Sequence, residues 1–253
     1  MRPHGMGQVK ELAGASALVT GGAVRIGRAI ALGLAQAGAD VAIGYHRSAR
    51  AARATGRDLS ALGVKTAAIR ADLAKPAEAG RLVREAARRL GRLDILVNNA
   101  AIFARTPLTS VTPAQFDRFI AVNLRGAFFC AQAAARIMRR RGRGRIINIV
   151  DVGALRAWPG HIPYGVSKAG LVMLTRSLAV ALAPTIQVNA VGPGVVLLPE
   201  RWPAQAVARL RHRIPMGRQG TPADVVRAVH FFATCPEYIT GQVLYVDGGT
   251  TAL

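Results

Sequence analysis

Seven short apolar runs rich in β-branched residues alternate along the chain with Ala/Arg/Leu-rich stretches of helical period, and this alternation constrains the fold more than any other feature. A strand apolar on both faces must be covered on both, and a strand that returns to its sheet through a helix runs parallel to its predecessor. Strands are read at 16–20, 41–44, 66–70, 95–98, 145–150, 187–190 and 243–246, and helices at 25–37, 49–62, 77–90, 113–141, 164–182, 204–211 and 222–233. Thr112-Pro113 and Thr221-Pro222 each place a cap residue before a proline at the first helical position. The pattern predicts one α/β domain over 13–253, a doubly wound and mostly parallel seven-stranded sheet with helices on both faces, behind a flexible tail at 1–12. A chain of 253 residues that is 51% hydrophobic suffices to bury a core of that size.

Composition excludes several classes. Apolar stretches are broken by Arg, Gly or Pro well short of the roughly 20 residues a spanning helix needs, and the N-terminus has no apolar signal core, so a cytoplasmic protein with no membrane partner is expected. Cys130 and Cys235 sit in apolar runs without disulfide or metal-ligand spacing, and no metal site is expected. The net charge of +21 would concentrate anions. Its arginines are scattered, with one dense cluster at 136–145, and no nucleic-acid motif or aromatic interleaving accompanies them. No specific nucleic-acid partner is expected.

The first strand runs into Thr20-Gly21-Gly22-Ala23-Val24-Arg25-Ile26-Gly27 and then a helix. In that context backbone N–H groups and the helix dipole hold a pyrophosphate, and Gly21, Gly22 and Gly27 let it come close. Arg25 stands where the commoner turn has a glycine. About 20 residues past such glycines an NAD-binding chain carries an acidic residue for the ribose hydroxyls. Here Tyr45-His46-Arg47-Ser48 fill that place, with Arg47 twenty residues after Gly27. A guanidinium there pairs with a 2′-phosphate, and Ser48 and His46 add hydrogen bonds, so NADPH/NADP is the expected cofactor.

Asn98-Asn99-Ala100 after the fourth strand, Asn123, Tyr164-Gly165-Val166-Ser167-Lys168, Val191-Gly192-Pro193-Gly194, Thr240-Gly241-Gln242 and Val246-Asp247-Gly248-Gly249 together resemble the short-chain dehydrogenase/reductase superfamily over nearly the whole chain. Tyr164 and Lys168 lie four apart on one helix face, where the ammonium is expected to favour the tyrosinate and make its proton transferable. The resemblance implies a Rossmann fold, a lysine that also holds the nicotinamide ribose, and an Asn123 that supports a water chain to it. It adds Ile26, Asp72, Leu73, Asn99, Ala100, Pro193 and Gly194 to the cofactor contacts. It also implies a homotetramer in which the helices carrying Asn123 and Tyr164 pack on their counterparts.

The superfamily's usual serine thirteen residues before the tyrosine is Asp151 here. That substitution, with Arg25 in the turn and His46-Arg47-Ser48 after strand two, looks like the pteridine reductases. The likeness implies transfer of the 4-pro-S hydride to a pterin or dihydropterin C=N bond, protonation by Tyr164 coupled to Asp151, an Arg25 that approaches both the cofactor phosphate and the pterin, and a Phe103 that stacks the ring against the nicotinamide. The stretch from Val191 to Pro199 resembles the substrate loop, taken as 192–215, with Val196 and Leu198 as further substrate contacts. Val196 stands where that family offers a small polar residue, and Ala104 where a second aromatic stands. Trp158 and Trp202 line an alternative pocket. Two other readings stay open: reduction of a ketone, sugar or 3-oxoacyl thioester by the same fold, and a non-catalytic NADP-sensing or nucleic-acid-binding role.

Overall fold

The computed structural model describes residues 10–198 and 203–253. Seven strands form a single sheet: β1 (Ser16–Val19), β2 (Asp40–Tyr45), β3 (Thr66–Arg70), β4 (Ile95–Asn98), β5 (Gly144–Ile149), β6 (Ile186–Pro193) and β7 (Val243–Val246). Their order is β3-β2-β1-β4-β5-β6-β7, and every neighbouring pair is parallel, so the sheet is wholly rather than mostly parallel. Strand order reverses between β1 and β4, which opens a crevice at their carboxyl ends, where doubly wound sheets bind ligands.

Among the described residues the α-helices are α1 (Arg25–Gln36), α2 (Ala49–Ala61), α3 (Pro76–Leu90), α4 (Pro113–Ile120), α5 (Gly126–Arg139), α6 (Ile162–Leu182), α7 (Ala204–His212) and α8 (Pro222–Thr234), and most of them cover the two faces of the sheet. Alternate strand residues feed opposite cores. Val19, Ile43, Val97 and Ile149 pack with α1 and α8 residues such as Ile30, Val225 and Phe232, whereas Leu18, Leu96 and Ile146 pack against Leu82, Cys130 and Met138 of α3 and α5. Both threonine caps form as expected. Thr112 and Thr221 each close a capping box with the residue three positions on, Gln115 and Asp224, and a proline follows at the first helical position.

Three expectations are corrected. Leu12, assigned to the tail, is buried and its N–H donates to Ala37 at 2.9 Å, so the packed chain starts before residue 13. The single helix read over 113–141 is two, joined by a π-helical turn over Ala121–Arg125 in which the N–H of Gly126 reaches Ala121. β6 runs on to Pro193 because Val191 and Gly192 still pair with Leu244 and Tyr245 of β7. At 21 residues α6 is long and apolar enough to cross a membrane by length and composition; it lies on the sheet, with Leu171, Val172 and Ala179 buried.

Candidate active site

The turn between β1 and α1 is held from the far side of the crevice. Asn99 donates its amide to the carbonyls of Thr20 and Gly21 at 2.9 and 3.2 Å, and the N–H groups of Asn99 and Ala100 both donate to the Thr20 hydroxyl at 3.0 Å. Gly27 has no room for a side chain, since a Cβ there would overlap the Gly21 carbonyl and the Asn99 amide. The α1 N-terminus has no side-chain cap and no acidic residue in its first turn, which leaves its N–H groups and the positive end of the dipole for an anion. Arg25 is the one non-glycine among the described residues with positive φ, 53°. Its guanidinium donates to the Leu197 carbonyl at 3.2 Å and so bridges the turn to the segment after β6.

At the end of β2, Tyr45 and His46 are half-buried and Arg47 and Ser48 exposed, with no carboxylate in that run. His46 Nε2 lies 3.9 Å from Asp72, whose other oxygen accepts from Ala74 at 3.1 Å. Leu73 is buried beside Gly126. Pro193 ends β6, and Gly194 is packed on Asp247 at a distance that excludes a Cβ. Glycine turn, uncapped helix end and exposed guanidinium make a donor set that fits a phosphorylated dinucleotide.

Asp151 leaves the end of β5 and accepts from the Gly153 N–H at 2.7 Å through Oδ1 and from the Tyr164 hydroxyl at 2.9 Å through Oδ2. One turn further along α6, Lys168 donates to the Ile149 carbonyl at 2.7 Å and lies 5.8 Å from the Tyr164 ring centre. Burial pushes Asp151 up, against the Gly153 N–H, the Tyr164 hydroxyl and Lys168, all of which pull it down. Burial also lowers Lys168 to about 8, with Asp151 opposing. Tyr164 is pushed well above the ordinary phenol range, by burial first and by Asp151 second. In the free protein a lowered phenol is not the net outcome, because burial and the Asp151 carboxyl beside the hydroxyl raise it, while the Lys168 ammonium is bonded to the Ile149 carbonyl.

Asn123 lies in the π-helical turn. Its Oδ1 accepts from the Ile102 N–H at 2.8 Å, and its Nδ2 donates to the Ile102 carbonyl and the Ser167 hydroxyl, each at 3.1 Å. It thus clamps the loop that carries Phe103. That ring is 60% exposed and stands edge-on to Tyr164, at 4.8 Å and 81°. Trp158 lies parallel to Tyr164 at 6.4 Å. Val196, expected at the substrate, is instead 3% exposed and packed with Val225 and Val229, since a β-branched side chain leaving the sheet gains most by joining the core. Leu198 is half-buried at the edge of the described segment, and Trp202 lies outside it.

Sequence reasoning missed three supports. Asn98 donates to Asn148 at 2.9 Å and Asn148 to Thr175 at 2.9 Å, a buried ladder from β4 through β5 to α6. Ser167 donates to the Tyr164 carbonyl at 2.7 Å. His161 stacks on Phe103, and its only signal in the sequence is a ring three residues before Tyr164.

A family model described as enoyl-(acyl carrier protein) reductase matches residues 22–251. The chain is 37% identical over 238 residues to a 3-oxoacyl-[acyl-carrier-protein] reductase of Synechocystis sp., covering 92% of this chain and 95% of the relative. Its fold matches a short-chain alcohol dehydrogenase of Sinorhizobium meliloti with a TM-score of 0.91 at 36% identity, over 96% of this chain and 99% of the other. It also matches a short-chain dehydrogenase of Burkholderia cenocepacia in complex with NADP, with a TM-score of 0.88 at 39% identity over 95% and 99%. With the glycine turn, the Tyr164–Lys168 pair and the wholly parallel seven-stranded sheet, these matches establish that the chain belongs to the short-chain dehydrogenase/reductase family.

Proposed function

We propose that this chain is an NADPH-dependent reductase that adds hydrogen across a polarised double bond of a small molecule, with Tyr164 as the proton donor. The observation that carries the reading is the Tyr164 hydroxyl on Asp151, with Lys168 one helical turn behind it. Gly21, Gly27, Ile26 and the α1 N-terminus would receive the pyrophosphate, Arg47 and Ser48 the 2′-phosphate, and Lys168 the nicotinamide ribose. Tyr45, His46, Asp72, Leu73, Asn99, Ala100, Pro193 and Gly194 would wall the cofactor. The NADP complex of the Burkholderia relative supports that cofactor. Bound NADPH would supply the hydride; the protein's task is to hold the acceptor beside Tyr164 and deliver the proton as negative charge builds on it. Asp151 keeps the phenol protonated until that moment.

The leading substrate class is a carbonyl compound, with 3-oxoacyl thioesters first, because those are the substrates in the relatives' names. None of those names is a pteridine reductase. Reduction of a pterin ring C=N bond is the second reading, and Asp151 favours it: a carboxyl bonded to the tyrosine, where a ketone reductase offers a neutral hydroxyl, suits protonation of a ring nitrogen. NADPH oxidation at 340 nm with acetoacetyl-CoA, simple ketones, dihydrobiopterin and dihydrofolate tests both. Turnover of the thioester is expected under the first reading. Turnover of a pterin alone, lost in Asp151→Ser, would replace it with the second, and no turnover of any acceptor would refute the reductase assignment. Exposed Ile162, Val166, Met173 and Val180 along α6 support assembly into a homotetramer, to be measured by light scattering.

A further inference from the structure

Phe103 is a large apolar side chain on a loop, 60% exposed, and such a residue ordinarily samples several rotamers. Here one ring pins it. The His161 imidazole lies parallel to the Phe103 ring at 4.6 Å and 7°, so that it covers one face of a phenyl that is otherwise largely exposed. The backbone on either side is stitched down as well. Ile102, just before it, is held at both its N–H and its carbonyl by Asn123. Three residues after it, the Thr106 N–H donates to Gly160 at 2.7 Å, and Thr106 forms an isolated bridge with His161. Trp158 closes the cluster edge-on to both Phe103 and His161, at 6.3 and 5.9 Å.

We propose that His161 is a positioning residue for the substrate, acting through Phe103: it holds that ring as a rigid wall at right angles to the Tyr164 ring. This rests on the reading that the acceptor binds beside Tyr164. Burial, with Arg105 nearby, holds the imidazole below its ordinary range, so the stacking surface is uncharged at neutral pH. A fixed, flat wall discriminates by shape. A flat conjugated acceptor gains stacking contact with the exposed part of Phe103, whereas a flexible acyl chain gains little from orientation of the ring. His161 touches neither the reacting atoms nor the proton, so its loss should appear in binding and spare the chemical step.

The test compares wild type, His161→Ala, His161→Phe, Phe103→Ala and the double variant Phe103→Ala/His161→Ala. Kinetics use every acceptor that wild type reduces, and biopterin is titrated onto NADP-loaded protein by tryptophan fluorescence. His161→Ala should raise the biopterin Kd, and the KM of any flat conjugated acceptor, about three- to tenfold, in the range of one aromatic pair, with kcat changed less than about twofold. His161→Phe should restore both, and His161→Ala should add nothing once Phe103 is gone. Unchanged KM and Kd in His161→Ala, a loss confined to kcat, failure of His161→Phe to rescue, or an undiminished effect without Phe103 would each overturn the proposal. Wild type that reduces no acceptor would defeat the reductase reading alone, because the titration still decides the role of His161; biopterin that fails to bind wild type would overturn the wall itself.

Discussion

Replacing Lys168 with methionine should stabilise the cofactor-free protein at neutral pH. The lysine is 3% exposed and its ammonium is held at about 8 rather than 10.5, mainly by burial. At roughly 1.4 kcal/mol per pKa unit, that depression represents about 3 kcal/mol by which the fold opposes the charged form. Methionine fills a similar volume without the charge, at the expense of the bond to the Ile149 carbonyl, worth about 1 kcal/mol. The net gain is about 2 kcal/mol, or about 5 °C in Tm for a domain of this length. The sign depends on pH in a defined way. Below about 8 both states are protonated and the folded state bears the whole cost. Between about 8 and 10.5 only the unfolded chain keeps the proton, so wild-type stability rises with pH, and above 10.5 the cost is gone. Thermal melts of wild type and Lys168→Met at pH 7 and pH 10.5, without cofactor, check this. A lower Tm for the variant at pH 7, or a difference that ignores pH, would show that burial of the ammonium is not what lowers it. The same variant should lose turnover, so the site holds a destabilising charge for use.

Tyr164→Phe should lower kcat by about a hundredfold to ten-thousandfold while NADPH affinity, read by fluorescence titration, stays within about twofold. Arg47→Glu should raise the NADPH Kd about tenfold or more and leave NADH within about threefold, because a 2′-phosphate would lose a charge-assisted bond and gain a repulsion; equal effects on both cofactors would remove Arg47 from phosphate recognition. Gly27→Ala should weaken NADPH at least about tenfold and lower Tm, since the added methyl meets the Gly21 carbonyl and the Asn99 amide, and a variant with wild-type affinity would contradict the packing.

The layers, the strand positions and the two capped helix starts were legible because each depends on local period and composition: Val19 and Leu18 face opposite cores, and Thr112 and Thr221 each need only a partner three residues on. Tyr164 and Lys168 were legible through one helical turn, and Asp151 through its place at a strand end. The Asn98–Asn148–Thr175 ladder was not, since nothing near Asn98 marks a partner 50 residues away. The net electrostatics of Tyr164 were not legible, because spacing showed the lysine, whereas burial and the bond to Asp151 are tertiary facts. Val196 was misplaced for a related reason: family position named the loop, and packing against Val225 decided which way the side chain turned.

The wide turn over Ala121–Arg125 carries one residue more than an α-helix of the same rise would use. Excising a single residue from it would let α4 and α5 run on as one regular helix, an alteration that elsewhere in a helix would rotate everything beyond it by about 100° and scramble the core. Local helical stability would rise. Yet the clamp on Ile102 would lose its register, and with it the loop that presents Phe103. The surplus residue is thus a phase adjustment: it lets Asn123 turn toward the loop while Ala127, Cys130 and Met138 keep facing the sheet, so tolerance of length at this point would be set by substrate handling and not by folding.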